Sequence, residues 1–137
     1  MGYLLDTNII SDLVRNPRGP VAQRLRELRE AGEKQAHCSI IVAAELRYGV
    51  TKRGGKRFAE KVEAVLATLN VLPFHVPADA VYARLRVNLE RRGQVIGGND
   101  LLIAAQVVAL GYTLVTDNVR EFARIDQIAC ENWLRPS

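Results

Sequence analysis

Four acidic residues stand in settings where a carboxylate is either costly or deliberately placed: Asp6, Glu45, Asp100 and Asp117. Asp6 closes the apolar run Tyr3-Leu4-Leu5 and has no basic residue within five positions. A strand ending on a carboxylate presents it at the edge of a sheet; the competing role is that of a helix N-cap. Glu45, read on a helix, shares a face with Ile41, Val42, Tyr48 and Gly49. An unpaired charge on such a face costs several kcal/mol, so Glu45 calls for an arginine or a metal ion as partner. Asp100 follows Gly97-Gly98-Asn99 and opens an apolar stretch, either as an N-cap or as a group that something large approaches across the glycines. Asp117 ends the run Thr113-Leu114-Val115-Thr116 beside Asn118, a pair that turn chemistry also explains.

Hard oxygen ligands without a cluster of His and Cys select Mg²⁺ or Mn²⁺ over zinc. A water made more acidic by such an ion is a nucleophile suited to in-line attack on a phosphodiester, and a second ion would stabilise the leaving oxygen. The residues leave one ion or two open. His37 and His75 lie within apolar surroundings, lack metal-ligand spacing and read as structural. Lys52-Arg53-Gly54-Gly55-Lys56-Arg57 places four cations around a flexible centre, either as a solvated connector or as a phosphate-contacting loop. Arg84, Arg86, Arg91 and Arg92 pose the same alternative.

Strands alternating with helices must position these groups. Tyr3–Leu5, Gln35–Ile40, Val71–Phe74, Tyr112–Thr116 and a segment around Ile128–Cys130 read as strands, with Pro73 placing the third at an edge or strand end. Apolar spacing predicts helices over Ile9–Val14, Val21–Ala31, Val42–Val50, Phe58–Leu69, Ala78–Arg92 and Leu101–Leu110. The expected fold is α/β: a parallel sheet of four to five strands covered by helices on both faces, in one domain over residues 1–137. Such sheets bind ligands along the carboxyl edge of their strands. Asp6 and Asp117 follow strands directly, and in right-handed crossovers the helices carrying Glu45 and Asp100 start on that same edge.

Composition narrows the classes further. Hydrophobic residues are 48% and charged residues 25% of the 137, which suits a packed globular domain. No apolar run approaches the roughly 20 residues of a membrane span, and the N-terminus lacks the basic region of a signal peptide. Cys38 and Cys130 read as free thiols in a reducing cytoplasm. The net charge of +4 favours a polyanionic partner, while 6% aromatics speak against an extended base-stacking platform.

The chain resembles the PIN-domain ribonuclease toxins of the VapC family, from type II toxin–antitoxin systems. The resemblance rests on Tyr3-Leu4-Leu5-Asp6-Thr7-Asn8-Ile9-Ile10-Ser11, Ala43-Ala44-Glu45-Leu46-Arg47-Tyr48-Gly49, the block Ile96–Ala105 and the block Leu114–Phe122, in that order. It implies a three-layer α/β/α PIN-like domain, Mg²⁺-dependent endoribonuclease activity with Mn²⁺ able to substitute, a homodimer, and a VapB-type antitoxin that blocks the site. Contact with DNA would be indirect, through the antitoxin. Transfer RNA is the implied substrate, with ribosomal RNA behind it. The family's acids map onto Asp6, Glu45 and Asp100. Many PIN domains carry a further Asp two residues after the strand Thr, where this chain has Asn118; its Asp stands one residue earlier, at Asp117. Either Asp117 acts through water, or three carboxylates suffice with Thr7, Thr116 and Asn118 assisting.

Phosphatases of the HAD type need a second Asp two residues after the first, and that position is Asn8. A response-regulator receiver needs an acidic pair and a late Lys, which are absent. A catalytically silent PIN scaffold that only binds a protein or RNA is the remaining alternative, opposed by the intact Asp6, Glu45 and Asp100.

Overall fold

The computed structural model describes residues 2–32 and 35–135; residues 1, 33, 34, 136 and 137 lie outside the described residues. Five strands form one parallel sheet: β1 (Tyr3–Leu5), β2 (Ala36–Ser39), β3 (Asn70–Leu72), β4 (Thr113–Val115) and β5 (Ala129–Glu131), in the order β3-β2-β1-β4-β5. Leu5 of the central strand lies between Cys38 and Val115. Leu4 and Leu5 are both fully buried although consecutive strand residues face opposite ways, so helices cover both faces of the sheet. The architecture is the three-layer α/β/α sandwich. Chain order reverses on either side of β1, and the crevice at the carboxyl ends of β1 and β4 is the topological switch point where such sheets bind ligands.

The helices are α1 (Thr7–Arg15), α2 (Pro20–Glu30), α3 (Ile40–Arg53), α4 (Lys56–Ala67), α5 (Ala78–Arg91), α6 (Gly98–Leu110) and α7 (Val119–Phe122). Three differ informatively from expectation. Helix α1 starts two residues early because Asp6 caps it, its side chain accepting the Thr7 N–H. Helix α6 begins at Gly98 with Gly97 as cap, so Asp100 lies inside the first turn and is not the capping residue. Helix α7 was not anticipated; four residues are too few to show a helical period.

One buried polar link joins helix to sheet. Gln106 of α6, 2% exposed, accepts from the Ser39 hydroxyl at 2.5 Å and donates to the carbonyls of Leu72 and Pro73 at 3.3 and 3.0 Å. Both cysteines are free, and burial pushes the Cys38 thiol up to about 12, which keeps it protonated. His37 stacks on Tyr112 and His75 is exposed with Nδ1 2.8 Å from the Val76 carbonyl oxygen. Among the described residues no helix is long and apolar enough to cross a membrane.

Candidate active site

The site is built outward from Asp6, at the carboxyl end of the central strand. Its N–H donates to the Val115 carbonyl of β4, which continues the sheet ladder one residue past the strand. Its carboxylate is 4% exposed. Oδ1 accepts the Thr7 N–H and Oδ2 accepts the Thr116 hydroxyl, both at 2.8 Å. Burial raises the Asp6 pKa, the Thr116 and Thr7 hydrogen bonds oppose that, and the charges of Glu45 and Glu121 add to it. Thr116 is itself fully buried, and its Oγ1 also accepts the Asn118 N–H at 3.0 Å, so the turn after β4 aims the hydroxyl that orients Asp6.

Glu45 projects from the second turn of α3 at the margin of its buried face: Val42, Ala43 and Leu46 are buried, Glu45 is half-buried and Tyr48 is 65% exposed. The apolar face expected around Glu45 is therefore narrower than its spacing suggested. Its protein partners are neutral donors, not an arginine: the Thr7 hydroxyl at 2.7 Å to Oε1 and the Asn99 amide at 3.3 Å to Oε2. Thr7 thus contacts both Asp6, through its N–H, and Glu45, through its hydroxyl.

Asp100 completes the convergence and shows its electrostatic cost. Burial, then the charges of Asp6 and Glu121, a hydrogen bond with Glu121 and the charge of Glu45 push its carboxyl up to about 7. Glu121, on α7, is the acid that sequence reasoning missed. A methyl group at Gly97 would stand 3.8 Å from Asp100 Oδ2 and 4.0 Å from Glu121 Oε1, so both carboxylates crowd the same piece of backbone. Glu121 is held there by the Gly97 N–H at 3.1 Å and the Asn118 side-chain amide at 2.5 Å. Its only local signal, Asn118 followed three residues later by Glu121, has the spacing of a capping box and reads as helix punctuation.

Asp117 is not among this group. Its carboxylate accepts from Asn132 Nδ2 and Arg135 Nε, each at 2.9 Å, and these contacts lower its pKa. Its N–H donates to Asn8 Oδ1, which pins the turn. The structure does not bring Asp117 to the other acids: its carboxylate is turned to Asn132 and Arg135 of the C-terminal segment. The structure brings Asp6, Glu45 and Asp100 together, places Thr7, Thr116 and Asn118 as their supports, and adds Glu121 and Asn99.

None of the four clustered acids forms an ion pair; the four pairs among the described residues lie elsewhere. All-oxygen donors, net negative charge and a like-charge penalty at Asp100 fit a hard divalent cation. Among the described residues no three Asp, Glu, His or Cys side chains lie close enough to hold an ion by themselves. That looseness suits Mg²⁺, which keeps several waters and takes only one or two carboxylates directly. The hydrogen bonds from Thr7, Asn99 and Thr116 fix the acids from behind, as ligand-orienting groups do.

Comparison with known proteins shows the family. The family model described as PIN domain matches residues 3–128. The chain is 39% identical to Ribonuclease VapC2 of Rickettsia felis over 97% of its own length and 98% of that protein's. It is 31% identical to the tRNA(fMet)-specific endonuclease VapC of Salmonella typhimurium, covering 96% and 97% of the two chains. The fold superposes with a TM-score of 0.89 on a chain in the crystal structure of VapBC2 from Rickettsia felis bound to a promoter DNA fragment, at 38% identity, with 97% and 99% covered.

Proposed function

The chain belongs to the PIN-domain family and, within it, to the VapC ribonucleases, and on that premise we propose that it is a Mg²⁺-dependent endoribonuclease toxin whose site is Asp6, Glu45, Asp100 and Glu121. The observation that carries this reading is the convergence of four carboxylates without a compensating cation. One or two of these carboxylates would hold Mg²⁺, or Mn²⁺ in its place, directly, and the others through its waters. When bound, such an ion supplies Lewis acidity and a more acidic water to a phosphodiester. The chain's own groups do the rest. Thr116 and the Thr7 N–H orient the Asp6 carboxylate, and Thr7 and Asn99 orient that of Glu45. Asp100, pushed up to about 7, takes a proton near neutrality when no cation is present, so protons and the cation compete there. Asp117 serves in this reading as an anchor of the turn that carries Thr116 and Asn118.

Transfer RNA is the favoured substrate, supported by the specificity in the name of the Salmonella relative; ribosomal RNA is the second choice. A VapB-type antitoxin as partner is supported by the VapBC2 complex to which the fold is similar, with DNA contacted only through that antitoxin. A homodimer is in keeping with the row Ile40, Ala44 and Tyr48 on α3, exposed beside Glu45. Two unpaired thiols support a cytoplasmic setting.

The test is cleavage of transfer RNA by the purified protein. Mg²⁺ or Mn²⁺ should support it, EDTA should stop it, and Asp100→Asn should be inactive with either ion. Cleavage that persists in EDTA, or full activity in Asp100→Asn, would overturn the reading.

A further inference from the structure

The acids of the site explain one end of α1 and α3; the opposite ends carry a different chemistry. Arg15 is the last residue of α1 and Arg53 the last of α3, while Lys56, Arg57 and Lys61 lie on the first two turns of α4. These five exposed cations line one concavity of about 550 Å³ between the three helices. No acidic residue lines it, and none of the five is in an ion pair among the described residues. Of the two acids on α4, Glu63 pairs with Arg47 at 3.0 Å and the exposed Glu60 does not line the groove. Arg53 is not free to wander: its guanidinium sits 4.4 Å from the Phe58 ring centroid, a cation–π contact that holds it over the groove. The other cationic surface, on α5, is partly engaged within the protein. There Arg86 bonds Glu90 and Tyr82, and Arg92 bonds Asn88, Gln94 and the Arg124 carbonyl.

We propose that the groove formed by Arg15, Arg53, Lys56, Arg57 and Lys61 is a second RNA-binding site, which grips the phosphate backbone of the substrate away from the acid cluster. The proposal rests on the ribonuclease reading and adds where the polyanion is held. A cluster of four carboxylates repels phosphate, so affinity for RNA must come from cations placed elsewhere. The spacing suits that division. Asp6 caps α1 and Arg15 ends it, a rise of about 14 Å, which one stacked strand covers in about four nucleotides. RNA is favoured over an acidic protein segment because the five charges converge on one open concavity whose other lining residues are Val14, Phe58 and two glycines.

The experiment measures binding of a labelled single-stranded oligouridylate to the full chain in EDTA, which suppresses cleavage, over a range of salt concentrations. The parent is compared with Lys56→Gln/Arg57→Gln/Lys61→Gln, all at exposed positions that leave the core untouched. Loss of three phosphate contacts should weaken binding about tenfold or more at low salt and make the slope of log affinity against log salt shallower by about 2. A second variant, Arg15→Gln/Arg53→Gln, should move both quantities in the same direction. Unchanged affinity and slope in both variants, with a parent that binds, would overturn the groove and leave the ribonuclease reading standing. A parent that cleaves no RNA with Mg²⁺ and binds none in EDTA would overturn both. Variants that keep RNA affinity but lose affinity for poly-glutamate would overturn the proposal in favour of an acidic protein partner.

Discussion

Asp6 does two jobs that usually belong to different residues, and the pairing constrains how the site can be tested. Its carboxylate caps α1 and faces the other acids. Asn is as good an N-cap as Asp, so Asp6→Asn removes the charge while keeping the cap, whereas Asp6→Ala gives up roughly 1 kcal/mol of helix stability as well. RNA cleavage should be abolished in both, with Asp6→Ala unfolding more readily than Asp6→Asn, which keeps the cap and is relieved of the like-charge penalty; full cleavage in Asp6→Asn would contradict the assignment. Glu121 and Asp117 separate the same way. Glu121 adds charge beside Asp100, and Asp117 spends its charge on Asn132 and Arg135. Glu121→Gln should therefore lower cleavage by orders of magnitude, while Asp117→Ala should produce only the modest loss expected of a loosened turn. The reverse order of effects in a cleavage time course would mean that the two acids have been assigned the wrong way round.

At the level of elements, the site depends on α6 being seated correctly against the sheet, since Asn99 and Asp100 ride on its first turn. Gln106 is the polar part of that seat. Replacing it with Ala leaves the Ser39 hydroxyl and two carbonyls at the end of β3 without their partner. Each buried group left unsatisfied costs about 1–3 kcal/mol, so Gln106→Ala should destabilise by roughly 3 kcal/mol in urea unfolding. Cleavage per folded molecule should fall less than stability does, because Gln106 is two turns from Asp100. A change within error would show that water replaces the amide at no cost. The strands contribute in a different way: β1 and β4 are only three residues each, yet their register sets Asp6 against Thr116, and a one-residue slip would send both to the wrong face.

The whole molecule carries a like-charge penalty at its acid cluster, and its stability should report this. In the folded, metal-free protein Asp100 holds its proton up to about 7, against 3.8 in an unfolded chain, and Asp6 is shifted in the same direction. Between those values the native state binds more protons than the unfolded state, so stability must fall as pH rises from about 4 to about 7 and level off above. Thermal unfolding in EDTA should show that decline, and Asp100→Asn should flatten most of it. A divalent cation that replaces the proton should raise the melting temperature near pH 8 and have little effect near pH 5. A flat profile in EDTA, or equal stabilisation by Mg²⁺ at both pH values, would contradict a cation site at Asp100.

Much of this was legible along the chain. Apolar runs, breakers such as Asn16-Pro17 and the position of Pro73 specify five strands and six helices, because burial on two faces imposes its own spacing. Asp6, Glu45 and Asp100 stood out for a related reason: a carboxylate inside apolar sequence is expensive and needs a local explanation. What the chain could not reveal is direction. Asp117 and Glu121 are four residues apart on one turn and helix, and which of them faces Asp100 depends on where β4 ends and how α7 is rolled by its buried Phe122. Likewise Arg15, Arg53 and Lys61 are scattered in sequence and meet only because three helix ends pack together. Sequence alone determined the five strands and six of the helices and singled out three acids that the fold brings near one another, since these follow from the cost of burying charge and the gain of burying apolar surface. Tertiary structure alone decided that Glu121 lies beside Asp100 and that five cations meet in one concavity, since those follow from the orientation of side chains across elements that no local pattern encodes.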